Sequence, residues 1–130
     1  MILENLKIVS STGRADMTLE NDTHLVELSD YHETICCEAH YIDWEYRDQV
    51  TPEMRFTLNT DDYNTLFERV EGYGIRLLPN PGTGHPISIP GYGRNNGFYS
   101  DDIILVIKIT DKTQNTVVYK KELDISECQK

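Results

Sequence analysis

Apolar and polar residues alternate with a period of two through much of this 130-residue chain, the spacing that sends successive side chains to opposite faces of a β-strand. Leu6, Ile8 and the neighbouring Val9 predict a first strand, stopped by the turn-forming run Ser10-Ser11-Thr12-Gly13. Residues 17–20 and 25–28 flank Asn21-Asp22-Thr23, which predicts a hairpin. In residues 35–41 the alternation places Ile35, Cys37, Ala39 and Tyr41 on an apolar face and Cys36, Glu38 and His40 on a polar one.

Helical spacing occurs once. Tyr63, Leu66, Phe67 and Val70 fall at i, i+3, i+4 and i+7, with Thr60 placed to cap, Asp61 and Asp62 in the first turn and Gly72 as a stop. This predicts a short helix over about 61–71. Residues 72–97 hold seven of the eight glycines and four of the five prolines, so that interval reads as loops with short strands at 75–78 and 86–89, the latter an edge because proline cannot donate to a ladder. Residues 103–109 are apolar on both faces until Lys108, as expected of a central strand covered on both sides. A turn at 111–115 leads into residues 116–125, where Val117, Tyr119, Leu123 and Ile125 are expected to share a face and to complete a long C-terminal hairpin. The predicted fold is α+β: a single domain over 1–130, mainly antiparallel sheet with one short helix.

Composition narrows the class. The chain is long enough to bury a core without disulfides or a structural metal, and it carries no internal repeat or linker-like tract. Three cysteines, two of them adjacent, imply no disulfide framework. The first residues lack the pattern of a signal peptide and no run approaches the length of a membrane span, so a cytoplasmic protein without membrane contact is expected.

The net charge of −10 is unevenly placed: residues 1–65 hold 14 Asp and Glu against 4 Lys and Arg, whereas residues 66–130 hold 8 of each. Such a field repels phosphate backbones and attracts basic protein surfaces, so direct nucleic-acid binding is not expected and a basic protein partner is.

Four groups of residues have chemistry worth testing. His32, Cys36, Glu38 and His40 are all zinc-ligand types, but same-face neighbours on a strand stand about 6.6 Å apart and converge only if the strand bends. Zinc is the one cofactor that these residues bring into question. Cys36 or Cys37 could serve as a nucleophile with His24, His32, His40 or His85 as base, although surrounding acids raise a thiol pKa. Asp43, Glu45 and Asp48 beside Trp44 and Tyr46 combine carboxylates with aromatic platforms, as a sugar site or a partner-binding surface would. Lastly, glycine-rich loops at 81–85 and 90–100 let backbone amides approach a ligand, and Arg94, Asn95, Asn96 and Tyr99 could grip one; neither loop has phosphate-loop or dinucleotide-binding spacing.

The segments His32-x-x-x-Cys36-Cys37-Glu38-x-x-Tyr41 and Gly93-Arg94-Asn95-Asn96-Gly97-Phe98-Tyr99-Ser100 resemble those of small uncharacterised bacteriophage and prophage accessory proteins. The resemblance implies an accessory role in a bacterial cytoplasm and carries over no catalytic residue. Together with the charge it yields the leading expectation, a non-enzymatic interaction module, such as an inhibitor, that presents acids to a basic, nucleic-acid-handling host protein. The alternatives are a metal- or thiol-dependent enzyme built on Cys36, Glu38 and His40, and a structural virion component.

Overall fold

The computed structural model describes residues 1–9, 16–31, 39–44, 49–69, 74–94 and 104–124. Among them, regular structure is antiparallel strand apart from one 3₁₀ turn at Tyr63–Thr65. The strands are β1 (Ile2–Val9), β2 (Met17–Glu20), β3 (His24–Tyr31), β4 (Ala39–Ile42), β5 (Phe56–Asn59), β6 (Phe67–Arg69), β7 (Ile75–Leu77), β8 (Ile87–Ile89), β9 (Gly91–Arg94), β10 (Ile104–Asp111) and β11 (Thr116–Asp124). They form a six-stranded sheet in the order β11-β10-β3-β2-β1-β5, a three-stranded sheet β6-β7-β8 and a ladder β4-β9.

Register in the large sheet follows from the period-two pattern, because a slip by one residue would turn every apolar side chain to the wrong face. Leu19, Val26 and Ile109 align in one row across β2, β3 and β10, and Met17, Leu28 and Ile107 in the next. All six are fully buried, each worth about 1.5–3 kcal/mol relative to exposure. The three-stranded sheet adds Phe67, Ile75, Leu77, Ile87 and Ile89 to the same core cluster.

Leu3 and Leu6 are both buried although three residues apart, a spacing that would put them on opposite faces of a regular strand. A bulge resolves this: Leu3 pairs with Leu58 and Leu6 with Phe56, so β1 spends one residue more than β5. Asn5 takes the left-handed backbone conformation there, φ 57°, which asparagine tolerates better than most residues. The side-chain amide of Asn21 donates to the carbonyl of Glu4 at 2.8 Å. Its oxygen meanwhile accepts the backbone N–H groups of Thr23 and His24 in the predicted hairpin turn. One asparagine therefore closes the turn and ties it to the bulge.

The sheet curls. Tyr63, rooted just after β5 at one edge, hydrogen-bonds through its hydroxyl to that of Tyr119 in β11 at the other edge.

Three expectations need correction. The helix expected over 61–71 does not form in its described residues, 61–69: Asp62, not Thr60, caps a single 3₁₀ turn by accepting the N–H of Asn64, and the chain enters β6 two residues later. Tyr63 and Phe67 do stack, with centroids 6.2 Å apart, so the i, i+4 pair meets without a helix. Pairing of β6 with β7 supplies backbone partners that a short helix would have lacked at its ends. The described chain is thus a mostly antiparallel β structure, and the α component is not found.

Strand β10 is central, but only Leu105, Ile107 and Ile109 are buried; Ile104, Val106 and Lys108 on the other face are half-buried. In β11 a register shift pairs Ile109 with Tyr119 but Thr110 with Val117. The extra residue turns Val117 away from the face of Tyr119 and Leu123, and it is 53% exposed. Ile125 lies outside the described residues.

Elsewhere the pattern holds. The β2–β3 hairpin and the β10–β11 hairpin form where expected, the latter turned by Asp111, whose carboxylate accepts the N–H groups of Thr113 and Gln114. Those bonds, the Thr113 amide first, hold its pKa below the usual carboxylate value. β8 is an edge strand of the small sheet.

Candidate functional site

Two concavities among the described residues are lined by β1. A polar cleft of about 350 Å³ is lined by Asn5, Lys7, Glu20, Asp22, Arg55 and Lys112, together with Asn21. A second, more apolar groove of about 460 Å³ is lined by Ile8, Val9, Val50, Thr51 and Pro52, and shares Lys7 with the first.

The cleft is assembled from distant segments. Lys7 pairs across β1–β2 with Glu20, and Arg55 immediately precedes Phe56, the partner of Leu6. Lys112 arrives from the β10–β11 turn; its backbone N–H donates to Thr23 O at 2.9 Å, and its ammonium donates to Asn21 O at 3.0 Å and Glu20 Oε2 at 3.3 Å. The Arg55 guanidinium is braced by Nη1, which donates to the carbonyls of Pro52 at 2.7 Å and Met54 at 2.9 Å. Sequence reasoning missed this site because its cations stand at positions 7, 55 and 112 with no motif linking them; the one available signal was that Lys7 and Arg55 are two of only four cations in the acidic half.

The residues singled out from the sequence fare differently. Trp44 is buried at 6% exposure, and its indole N–H donates to Asp30 Oδ1 at 2.7 Å, so it offers no exposed platform. Asp30 Oδ2 accepts the N–H of Ile42 at 3.1 Å; this one carboxylate anchors the start of the 42–44 segment to the end of β3. Asp43 is half-buried, with its N–H on Pro90 O. His40 and Arg94 come together in backbone register on the β4–β9 ladder, where His40 faces Gly93 and Ala39 faces Arg94. The segments 32–41 and 93–100 therefore adjoin in space, in direct register where His40 faces Gly93 and Ala39 faces Arg94. His32, Cys36, Glu38, Glu45, Tyr46, Asp48, Asn95, Asn96 and Tyr99 lie outside the described residues. Among the described residues no group of three His, Cys, Asp or Glu converges as a metal ion would require.

The loop at 81–85 has an architectural role. Thr83 N–H returns to Asn80 O at 3.0 Å around Pro81-Gly82, with Gly82 at φ 84°, the geometry of a type II turn. Asn80 N–H donates to Arg55 O, and Thr83 Oγ1 accepts Arg55 N–H, so the turn covers the rim beside β5.

Charge is also sorted by the fold. Asp16, Glu20, Asp30 and Asp62 hold backbone or side-chain donors. Glu4, Asp22, Glu53 and Asp61 are exposed around β1, β5 and the turns beside them, with no hydrogen bond or ion pair on their carboxylates among the described residues.

Fold and site together define a small curled antiparallel β protein with an acidic rim and a mixed-charge cleft. No family model, curated protein or solved structure matches the chain. No helix among the described residues is long and apolar enough to cross a membrane.

Proposed function

We propose that the protein is a non-enzymatic interaction module that presents an acidic surface to a basic protein, in the manner of a small phage-type inhibitor acting in a bacterial cytoplasm. One observation carries the reading: Glu4 on β1, Asp22 in the β2–β3 turn, and Glu53 and Asp61 beyond either end of β5 are exposed with no internal partner among the described residues, while other acids in the same half are used to hold the fold. Acids that stabilise nothing internally are the ones available for steering and registering a cationic partner. If that partner normally grips nucleic acid, the rim competes for the same cations.

The test is capture from bacterial lysate by the wild type and by a Glu4→Lys, Glu53→Lys, Asp61→Lys variant. A basic partner is expected to be retained by the wild type at low salt, released as salt rises, and lost from the variant. Equal capture by both proteins at every salt concentration, or no capture by either, refutes the reading.

A further inference from the structure

The mixed-charge cleft has a property that the acidic rim does not explain. Lys112 is committed to Glu20 and to Asn21 O, which leaves Lys7 and Arg55 as neighbouring cations with no carboxylate partner among the described residues. Like charges lining one cleft repel each other unless something negative lies between them. Arg55 cannot easily swing away, because Nη1 is held by two carbonyls; its remaining N–H groups have no partner among the described residues. Lys7 is exposed, its ammonium has no hydrogen bond or ion pair among the described residues, and it lines both the polar cleft and the groove formed by Ile8, Val9, Val50 and Pro52.

Lys7, which lines both the cleft and the apolar groove, and Arg55, which lines the cleft, together match one chemistry. We propose that this composite site binds a small amphiphilic organic anion, with a carboxylate or phosphate head between Lys7 and Arg55 and a short apolar body along Ile8, Val9, Val50 and Pro52. Both volumes lie in the range of small-molecule sites. Glu20, paired with Lys112, and Asp22 also line the cleft. The exposed Asp22 carboxylate would repel a second anionic group there, so the site selects one anionic head rather than a polyanion.

The test is titration of the full chain with hexanoate, hexyl phosphate, 1-hexanol and acetate, followed by calorimetry and by the backbone amide shifts of Lys7, Ile8, Val9 and Val50. Saturable binding of hexanoate or hexyl phosphate is expected, the tighter of the two identifying the head group. Hexanol and acetate should bind about tenfold more weakly or not at all. Lys7→Gln should weaken the anion about tenfold, with Lys120→Gln unchanged as a control. Arg55→Gln should act similarly; if that variant fails to fold for want of its carbonyl contacts, exposed Lys7 decides the matter alone. Hexanol binding as tightly as hexanoate, indifference to Lys7→Gln, or absence of saturable binding of both anions overturns the proposal.

Discussion

The two outer strands of the six-stranded sheet meet the same problem in opposite ways. β5 is four residues long, buries Phe56 and Leu58 completely, and has the Asn80–Thr83 turn bonded to Arg55 beside it. β11 is nine residues long and pairs only with β10 among the described residues; Val117 and Val118 are exposed at 53% and 42%. A bare edge invites pairing with another chain. β5 is protected by cover, whereas β11 carries exposed Lys120, Lys121 and Glu122 and a bulge at Val118, which together make it a poor template. The covered edge can therefore lie against the candidate cleft, where geometry must be fixed, and the charged edge can remain exposed.

Side-chain truncation should separate the edges most strongly. Phe56→Ala is expected to cost about 3–5 kcal/mol in urea unfolding, against less than about 0.5 kcal/mol for Val117→Ala. Similar losses at both sites would erase the distinction between a packed and an open edge.

The cover over β5 can be tested next. A Cβ at Gly84 would sit 2.7 Å from Met54 Cγ and 2.8 Å from its Cε, and Met54 is itself buried. Gly84→Ala should destabilise by about 1–3 kcal/mol, because Met54 has to leave its place beside the turn. An unchanged midpoint would mean that the turn merely lies near the edge.

The smallest effect concerns the link between the edges. Tyr119→Phe removes one hydroxyl from a half-buried pair and should cost no more than about 1 kcal/mol at neutral pH. Its signature is a titration. Burial first, then the Tyr119 hydrogen bond and charge, and then Asp61 push the Tyr63 phenol above the ordinary tyrosine value. Since the raised pKa belongs to the folded state, the stability it reflects is intact below about pH 10 and lost as pH climbs through the folded value. Tyrosinate absorbance should show one late-titrating residue in the wild type and an earlier one in Tyr119→Phe. Identical curves would remove the Tyr63–Tyr119 bridge from the account of the curl.

Much of the strand content was legible because alternation and turn chemistry are local. Asn21-Asp22-Thr23 and Asp111 to Asn115 could be read as turns because their side chains bond backbone groups within three residues. The segment after Thr60 shows where such local patterns mislead. Tyr63, Leu66 and Phe67 satisfy a helical spacing locally, and only β7, which pairs with Phe67–Arg69, makes the strand the better solution. Trp44 next to Asp43 looked like an exposed platform until Asp30, fourteen residues back, supplied the acceptor that lets the indole be buried.

The sequence by itself determined the antiparallel β character, the positions of the two hairpin turns and the lopsided charge, since each depends on neighbours a few residues apart. Tertiary structure decided which carboxylates hold the fold and which remain exposed, how Leu3 and Leu6 reach one face through the Asn5 bulge, and that Lys7, Arg55 and Lys112 share a cleft. Those outcomes depend on which distant strands pair and in what register, a choice made by the whole buried core and written in no single segment.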